Sequence, residues 1–213
     1  MPSKEAAACR PRPVLSECFN SSVKIPYGLK VEHIREAMDE FVKFLGFINR
    51  QLHTQQIDRL ESFLMPANFS SMVGEFMAAA IPKHCRSVVR NKYHNGHPDM
   101  VPKGKYPGDS ILHAGEGIEI KASRHVSGWQ GHNPEDVWLM VFVFGANSSR
   151  DASQGIEPKP FQFIKVVGAR LTKNDWQFSG RSDTSRRTIT ASVKRSGFEM
   201  MEANWIYRVA ASE

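Results

Sequence analysis

"YPGDSILHAGEGIEIKAS", residues 106–123, places two carboxylates and an ammonium around a glycine-rich turn. Gly115 and Gly117 interrupt the chain between two short runs that read as strands, 109–113 and 117–123. Side chains alternate across a strand, so Ile118 and Ile120 share one face and Glu119 and Lys121 the other. A hairpin centred on Gly115 sets Asp109 opposite Lys121 and Ile111 opposite Glu119. Asp109 and Glu119 are then diagonal neighbours, roughly 7–8 Å apart at the backbone, with both carboxylates in reach of one ion. With the carbonyl of Ile120 between them, the donors are hard oxygens of the kind Mg²⁺ prefers. Lys121 on the same face can orient an attacking water or take its proton. The chemistry this suggests is metal-assisted hydrolysis of a phosphodiester. The alternative is an exposed hairpin whose Asp and Lys form a surface pair.

Upstream, Ile34, Met38, Phe41, Val42, Leu45 and Ile48 recur at helical spacing, and the spacing predicts a long amphipathic helix from Val31. A short helix is expected over Ile57–Leu64, ending before Pro66. A third is expected after "NFSS", capped by Ser70 or Ser71 and stopped by Pro82. Downstream, further strands are expected at 137–145, 161–169, 187–193 and 204–210. Helices first and strands afterwards predict an α+β fold with a mixed or antiparallel sheet. Residues 1–28, rich in Pro, Ser and charge, read as a flexible tail. Residues 29–213 read as one domain, with a helical part at 31–92 and a part at 93–213 that carries the hairpin and the other strands.

The longest apolar run, "VWLMVFVFGA", is too short to span a bilayer, so no membrane association is expected. Three cysteines (Cys9, Cys18 and Cys85) do not make a disulfide framework, and an intracellular protein is the expectation. The net charge is +6. The window from Arg170 to Arg195 carries +5 of it, seven basic residues against Asp175 and Asp183. Such a window is either a solvated basic face or a phosphate-binding surface, since clustered Lys and Arg release counterions from nucleic acid.

Asp followed by Glu-x-Lys resembles the signature of the PD-(D/E)xK nuclease superfamily. The spacing of Asp109, "AGEG", Glu119, Ile120 and Lys121 is similar to that of the PvuII-type restriction endonucleases. The likeness covers about forty residues, 105–145, including "GHNPEDVWLMVFVF". It implies a restriction-endonuclease-like core and a cytoplasmic, prokaryotic, Mg²⁺-dependent homodimer. The implied activity is type II cleavage of double-stranded DNA at a short palindromic site. Asp109 and Glu119 would be metal ligands and Lys121 the base or orienting group. Asp99 competes with Asp109: "HPD" supplies a literal Pro-Asp, twenty residues before Glu119, at a spacing the superfamily also accepts. The hairpin favours Asp109.

Other groups fit a DNA-binding reading. Asn133 can pair with adenine and His132 can donate to guanine acceptors in the major groove. The resemblance implies base readout for both, while a turn before Pro134 explains Asn133 equally well. Arg181, Arg186, Arg187 and Lys194 suit phosphate contacts. Asn68, Ser70 and Ser71 could bind a phosphate at a helix amino end, although capping alone accounts for them. Cys85, His94, His97 and His113 match no common zinc spacing. Two other readings stand beside the restriction enzyme. One is a modification-dependent or structure-specific DNA nuclease. The other is a non-catalytic DNA-binding protein.

Overall fold

Residues 137–145 read as an unbroken apolar run because the strand they form is covered on both faces. A computed structural model of the chain describes residues 3–131, 133–179 and 190–210. Among these residues the main sheet has six strands. In chain order they are β1 (Val88–Arg90), β2 (Met100–Pro102), β3 (Ile118–Ser123), β5 (Val137–Gly145), β6 (Gln162–Leu171) and β9 (Trp205–Arg208). They lie side by side in that same order. Only β3 and β5 run parallel, with Glu119 beside Leu139 and Lys121 beside Val141. The other pairs are antiparallel. A second sheet takes the order β4 (Gln130–Gly131), β8 (Thr190–Val193) and β7 (Trp176–Ser179). Helices plus a mostly antiparallel mixed sheet agree with the α+β expectation.

The alternation of β5 divides the interior. Trp138, Met140, Phe142 and Phe144 face a core shared with Ile34, Phe41, Phe69, Met77 and Ile81. Those residues come from α2 (Val31–Thr54) and α4 (Pro66–His84). Val137, Leu139, Val141 and Val143 face the opposite core, closed by the second sheet and by Met201 of α5 (Arg195–Ala203). Ile118 and Ile120 join the α2/α4 core, as their alternation requires.

Several boundaries differ from the sequence reading. The long helix runs past Ile48 to Thr54. The short one, α3, is confined to Leu60–Phe63. Helix α4 starts at Pro66, whose missing N–H costs nothing in a first turn, so Ser70 and Ser71 lie inside the helix and do not cap it. Pro82 sits in the last turn, where the helix has only two more residues to run.

The segment before α2, expected as a tail, is packed. Helix α1 (Lys4–Ala8) buries Ala8, and Cys9 follows it into the interior. Arg12 donates its N–H to the Phe161 carbonyl at 2.8 Å, and Phe19 packs on Tyr207 with ring centroids 4.8 Å apart and planes tilted by 56°.

Residues 109–113 do not form a strand. The Ile111 amide and carbonyl are both taken by the Asn91 side chain, at 3.1 and 2.8 Å. The Leu112 carbonyl accepts from the His97 amide at 3.0 Å. With those groups spent on the 91–97 loop, the antiparallel partner of β3 is β2, through Met100 and Ile118. Gly117 permits this approach. Its φ is +143°, and a Cβ there would lie 2.3 Å from Pro98 Cγ and 2.4 Å from the Met100 carbonyl oxygen. Gly117→Ala is expected to cost about 2–4 kcal/mol in a denaturant melt, from the clash and the backbone strain together. A loss under about 0.5 kcal/mol, the range of an ordinary surface change, would mean β2 does not sit this close.

Candidate active site

β2 enters the sheet at Met100, and the residue just before it is Asp99. This placement brings Asp99, not Asp109, to the Glu119–Lys121 strand. Asp99 Oδ2 accepts the Ile120 amide proton at 2.7 Å. The N–H and C=O of one strand residue point to the same edge, so the Ile120 carbonyl opens toward Asp99. Gly74 of α4 lies over that carbonyl, and a Cβ there would stand 3.9 Å from its oxygen, in ordinary contact. Asp99, Glu119, Ile120 and Lys121 line one cavity of about 420 Å³, together with His97, Ser70, Ser71 and Glu75.

The electrostatics are those of crowded charges. Burial, followed by the neighbouring Glu119 charge, pushes the Asp99 carboxyl up to about 7. Burial would raise Glu119 too, since it is only 8% exposed. Its contacts with His97 and Lys121 outweigh that and hold it at about 2. Lys121 donates to Glu119 Oε1. Burial disfavours its charge, but Glu119 and Asp99 overcome this and raise the ammonium above its usual range. His97 Nδ1 lies 2.9 Å from Glu119 Oε2 and Nε2 lies 2.8 Å from Glu135 Oε2. Against the desolvation of its ring, the two carboxylates raise His97 to about 9.

His97 and Glu135 are members of this site that sequence reading missed. Glu135 had no signal, being one acid in "NPEDV". His97 matches no common metal-site spacing in the sequence, although it directly precedes the Pro-Asp pair. The loop carrying it is pinned by Asn91, which donates to the carbonyls of Pro98 and Ile111 and accepts from the amides of Tyr93 and Ile111. A buried amide with all these bonds made fixes where Asp99 and His97 sit.

Asp109 has a different task. It closes a turn at Pro107–Asp109, where its carboxylate accepts the Gly104 amide at 2.7 Å and pairs with Lys92 at 3.4 Å. Those two partners hold its carboxyl below the usual carboxylate range. It does not line the cavity of Glu119 and Lys121.

Of the DNA-contact candidates, His132, Arg181, Arg186 and Arg187 lie outside the described residues. Asn133 is exposed beyond β4. Lys194 precedes α5 and donates to the Asn174 carbonyl at 3.0 Å. The second sheet joins the two segments, because Gln130 pairs with Ser192 and Gly131 with Ala191. Among the described residues, no helix is long and apolar enough to cross a membrane. In comparisons with protein-family models, curated proteins and solved structures, the chain matches none of them.

Proposed function

We propose that the chain is a Mg²⁺-dependent endonuclease that hydrolyses phosphodiester bonds in duplex DNA, with Asp99, Glu119 and Lys121 as its catalytic group. The observation that carries this reading is the convergence of Asp99 and Glu119 on one cavity, Asp99 bonded to the Ile120 amide and Lys121 paired with Glu119. The donor set suits a hard divalent cation: two carboxylates and a strand carbonyl, with like charges crowded enough to raise Asp99. Asp99, Glu119 and the Ile120 carbonyl would hold the ion, which when bound would polarise the phosphate and lower the pKa of a water. Lys121 would place its ammonium where negative charge develops on the phosphate oxygens and orient the attacking water. Ser70 and Ser71, on the α4 wall of the cavity, offer hydroxyls to the phosphate.

In this reading α4, the antiparallel β1–β2–β3 and the parallel β5 make a restriction-endonuclease-like core. The small sheet gathers the Asn133 loop and the Lys194 end of the basic window as its DNA-facing part. The enzyme acts as a homodimer on a palindromic site, each active site cutting one strand.

The test is plasmid DNA, methylated and unmethylated, incubated with Mg²⁺ or Ca²⁺, with the fragment ends mapped. Discrete fragments with Mg²⁺, lost in Glu119→Gln, are the expected result. Scattered or structure-dependent cuts would identify a structure-specific nuclease. Cuts only in methylated plasmid would identify a modification-dependent one. Binding without cleavage under any divalent ion would leave a DNA-binding protein.

A further inference from the structure

Beside the carboxylate cluster lies a second group of a different chemical kind. His97, His113 and Glu135 each bring one ligand atom to a common point, all within 4.8 Å of one another. The backbone makes this meeting. His97 and His113 form a parallel bridge: the His97 amide donates to the Leu112 carbonyl at 3.0 Å and the Ala114 amide to the His97 carbonyl at 2.9 Å. The two rings stack, 5.3 Å between centroids and 19° between planes. They come from segments sixteen residues apart in the chain, and Glu135 arrives from the approach to β5.

The partners of these groups leave a gap in the hydrogen bonding. His97 Nδ1 pairs with Glu119 Oε2 at 2.9 Å. Its Nε2 is buried in an ion-pair contact 2.8 Å from Glu135 Oε2 and makes no directed hydrogen bond among the described residues. The exposed His113 ring makes no side-chain hydrogen bond among the described residues. A buried imidazole nitrogen facing a carboxylate without a directed bond, with a second imidazole beside it, fits a shared cation.

We propose that His97, His113 and Glu135 bind a divalent transition-metal ion of the zinc type, at a site separate from the Asp99–Glu119 cluster. Two imidazoles and one carboxylate suit a borderline ion and not Mg²⁺, which takes oxygen ligands. Tetrahedral ligands at zinc distances stand about 3.4 Å apart, so modest side-chain rotations close the present spacing. Three protein ligands leave one position for water or a ligand atom, and the exposure of His113 provides the way in. His97 would be the shared element: Nε2 binds the ion while Nδ1–H donates to Glu119. A carboxylate behind a metal-bound imidazole fixes its tautomer and ring orientation. Here the same bond would hold Glu119 in place, so occupancy of the zinc-type site would steady a member of the catalytic group. The binding site itself stands whether or not the chain cuts DNA.

The test is titration of the full chain with Co²⁺ alone, followed by visible absorption and then by Zn²⁺ competition. The expected result is a visible band that saturates at one equivalent and is erased by Zn²⁺. His113→Ala and Glu135→Gln should each weaken Co²⁺ binding by about 10-fold or more, while Asp99→Asn leaves the band in place. His113 is exposed, so its truncation does not threaten the fold, and far-ultraviolet circular dichroism checks this. Wild-type Co²⁺ affinity in both His113→Ala and Glu135→Gln, or no band at all, would overturn the site. A band lost in Asp99→Asn and kept in His113→Ala would put the ion in the carboxylate cluster, ending this proposal and leaving the nuclease reading intact.

Discussion

Asp99→Asn is expected to lower Mg²⁺-dependent DNA cleavage by at least about 10²-fold, while Asp109→Asn stays within a few-fold of the wild-type rate. The contrast rests on placement. Asp99 bonds the Ile120 amide and shares a cavity with Glu119 and Lys121, whereas Asp109 is spent on Gly104 and Lys92. Asn keeps the size of Asp99 and offers only a neutral oxygen in place of the carboxylate, so the fold should survive while affinity for a hard cation falls. The two variants also separate in stability. Asp109→Asn weakens a turn bond and a solvent-screened ion pair, a small loss. Asp99→Asn removes one of two crowded carboxylates, so without divalent ions its melting temperature should equal or exceed the wild type. Single-turnover cleavage and a thermal melt in chelator decide both points. If Asp109→Asn loses cleavage and Asp99→Asn keeps it, the assignment of the acidic residue is reversed.

The same pair of residues shows how far the sequence could be read. Glu119 and Lys121 were legible because alternation with Ile118 and Ile120 fixes which way they point, and the structure keeps that division. β5 was legible to the residue, because a nine-residue apolar run has one good solution in a covered sheet. The partner of β3 was not. β2 has three residues, too few to display a period, and it follows a Gly/Pro-rich loop and ends on Pro102. The decisive contacts come from Asn91, whose side chain occupies the backbone groups that a 109–113 strand would have used. Nothing about an asparagine at 91 announces bonds to Pro98 and Ile111. Helix α5 was hidden for a related reason. It follows β8 directly, and Lys194 at its amino end gives no side-chain capping bond. The proximity of His97, His113 and Glu135 is wholly tertiary, set by a backbone bridge between loops and the approach to β5.

Arg59→Ala is expected to be the most destabilising single change considered, about 3–5 kcal/mol in a denaturant melt. Arg59 is 2% exposed and Glu61 is fully buried. The guanidinium donates to Glu61 Oε1 at 2.7 Å, to Glu5 Oε1 at 2.7 Å, to Asn147 Oδ1 at 2.9 Å and to the Lys159 carbonyl at 2.9 Å. Glu61 is held on its other oxygen by Asn49 of α2 at 2.9 Å. Burial disfavours the Arg59 charge, and the two glutamates more than offset it, so its pKa rises. Removing the guanidinium leaves the Glu61 carboxylate buried without its counter-charge, and that penalty dominates. The expected signature is therefore non-additive. Arg59→Met with Glu61→Gln together should cost less than the sum of the two singles, because neither charge is then stranded. The network also reaches β3. Arg124, just past β3, donates to the carbonyls of Ala146, Asn147 and Glu61. Loss of Arg59 should thus loosen the carboxyl end of β3 as well as the α1 and α3 contacts. At a temperature where the variant is still folded, DNA cleavage should remain within a few-fold of wild type, since no group in the Asp99–Glu119–Lys121 cavity is touched. Additive single and double variants would show that the buried pair is not the source of the cost.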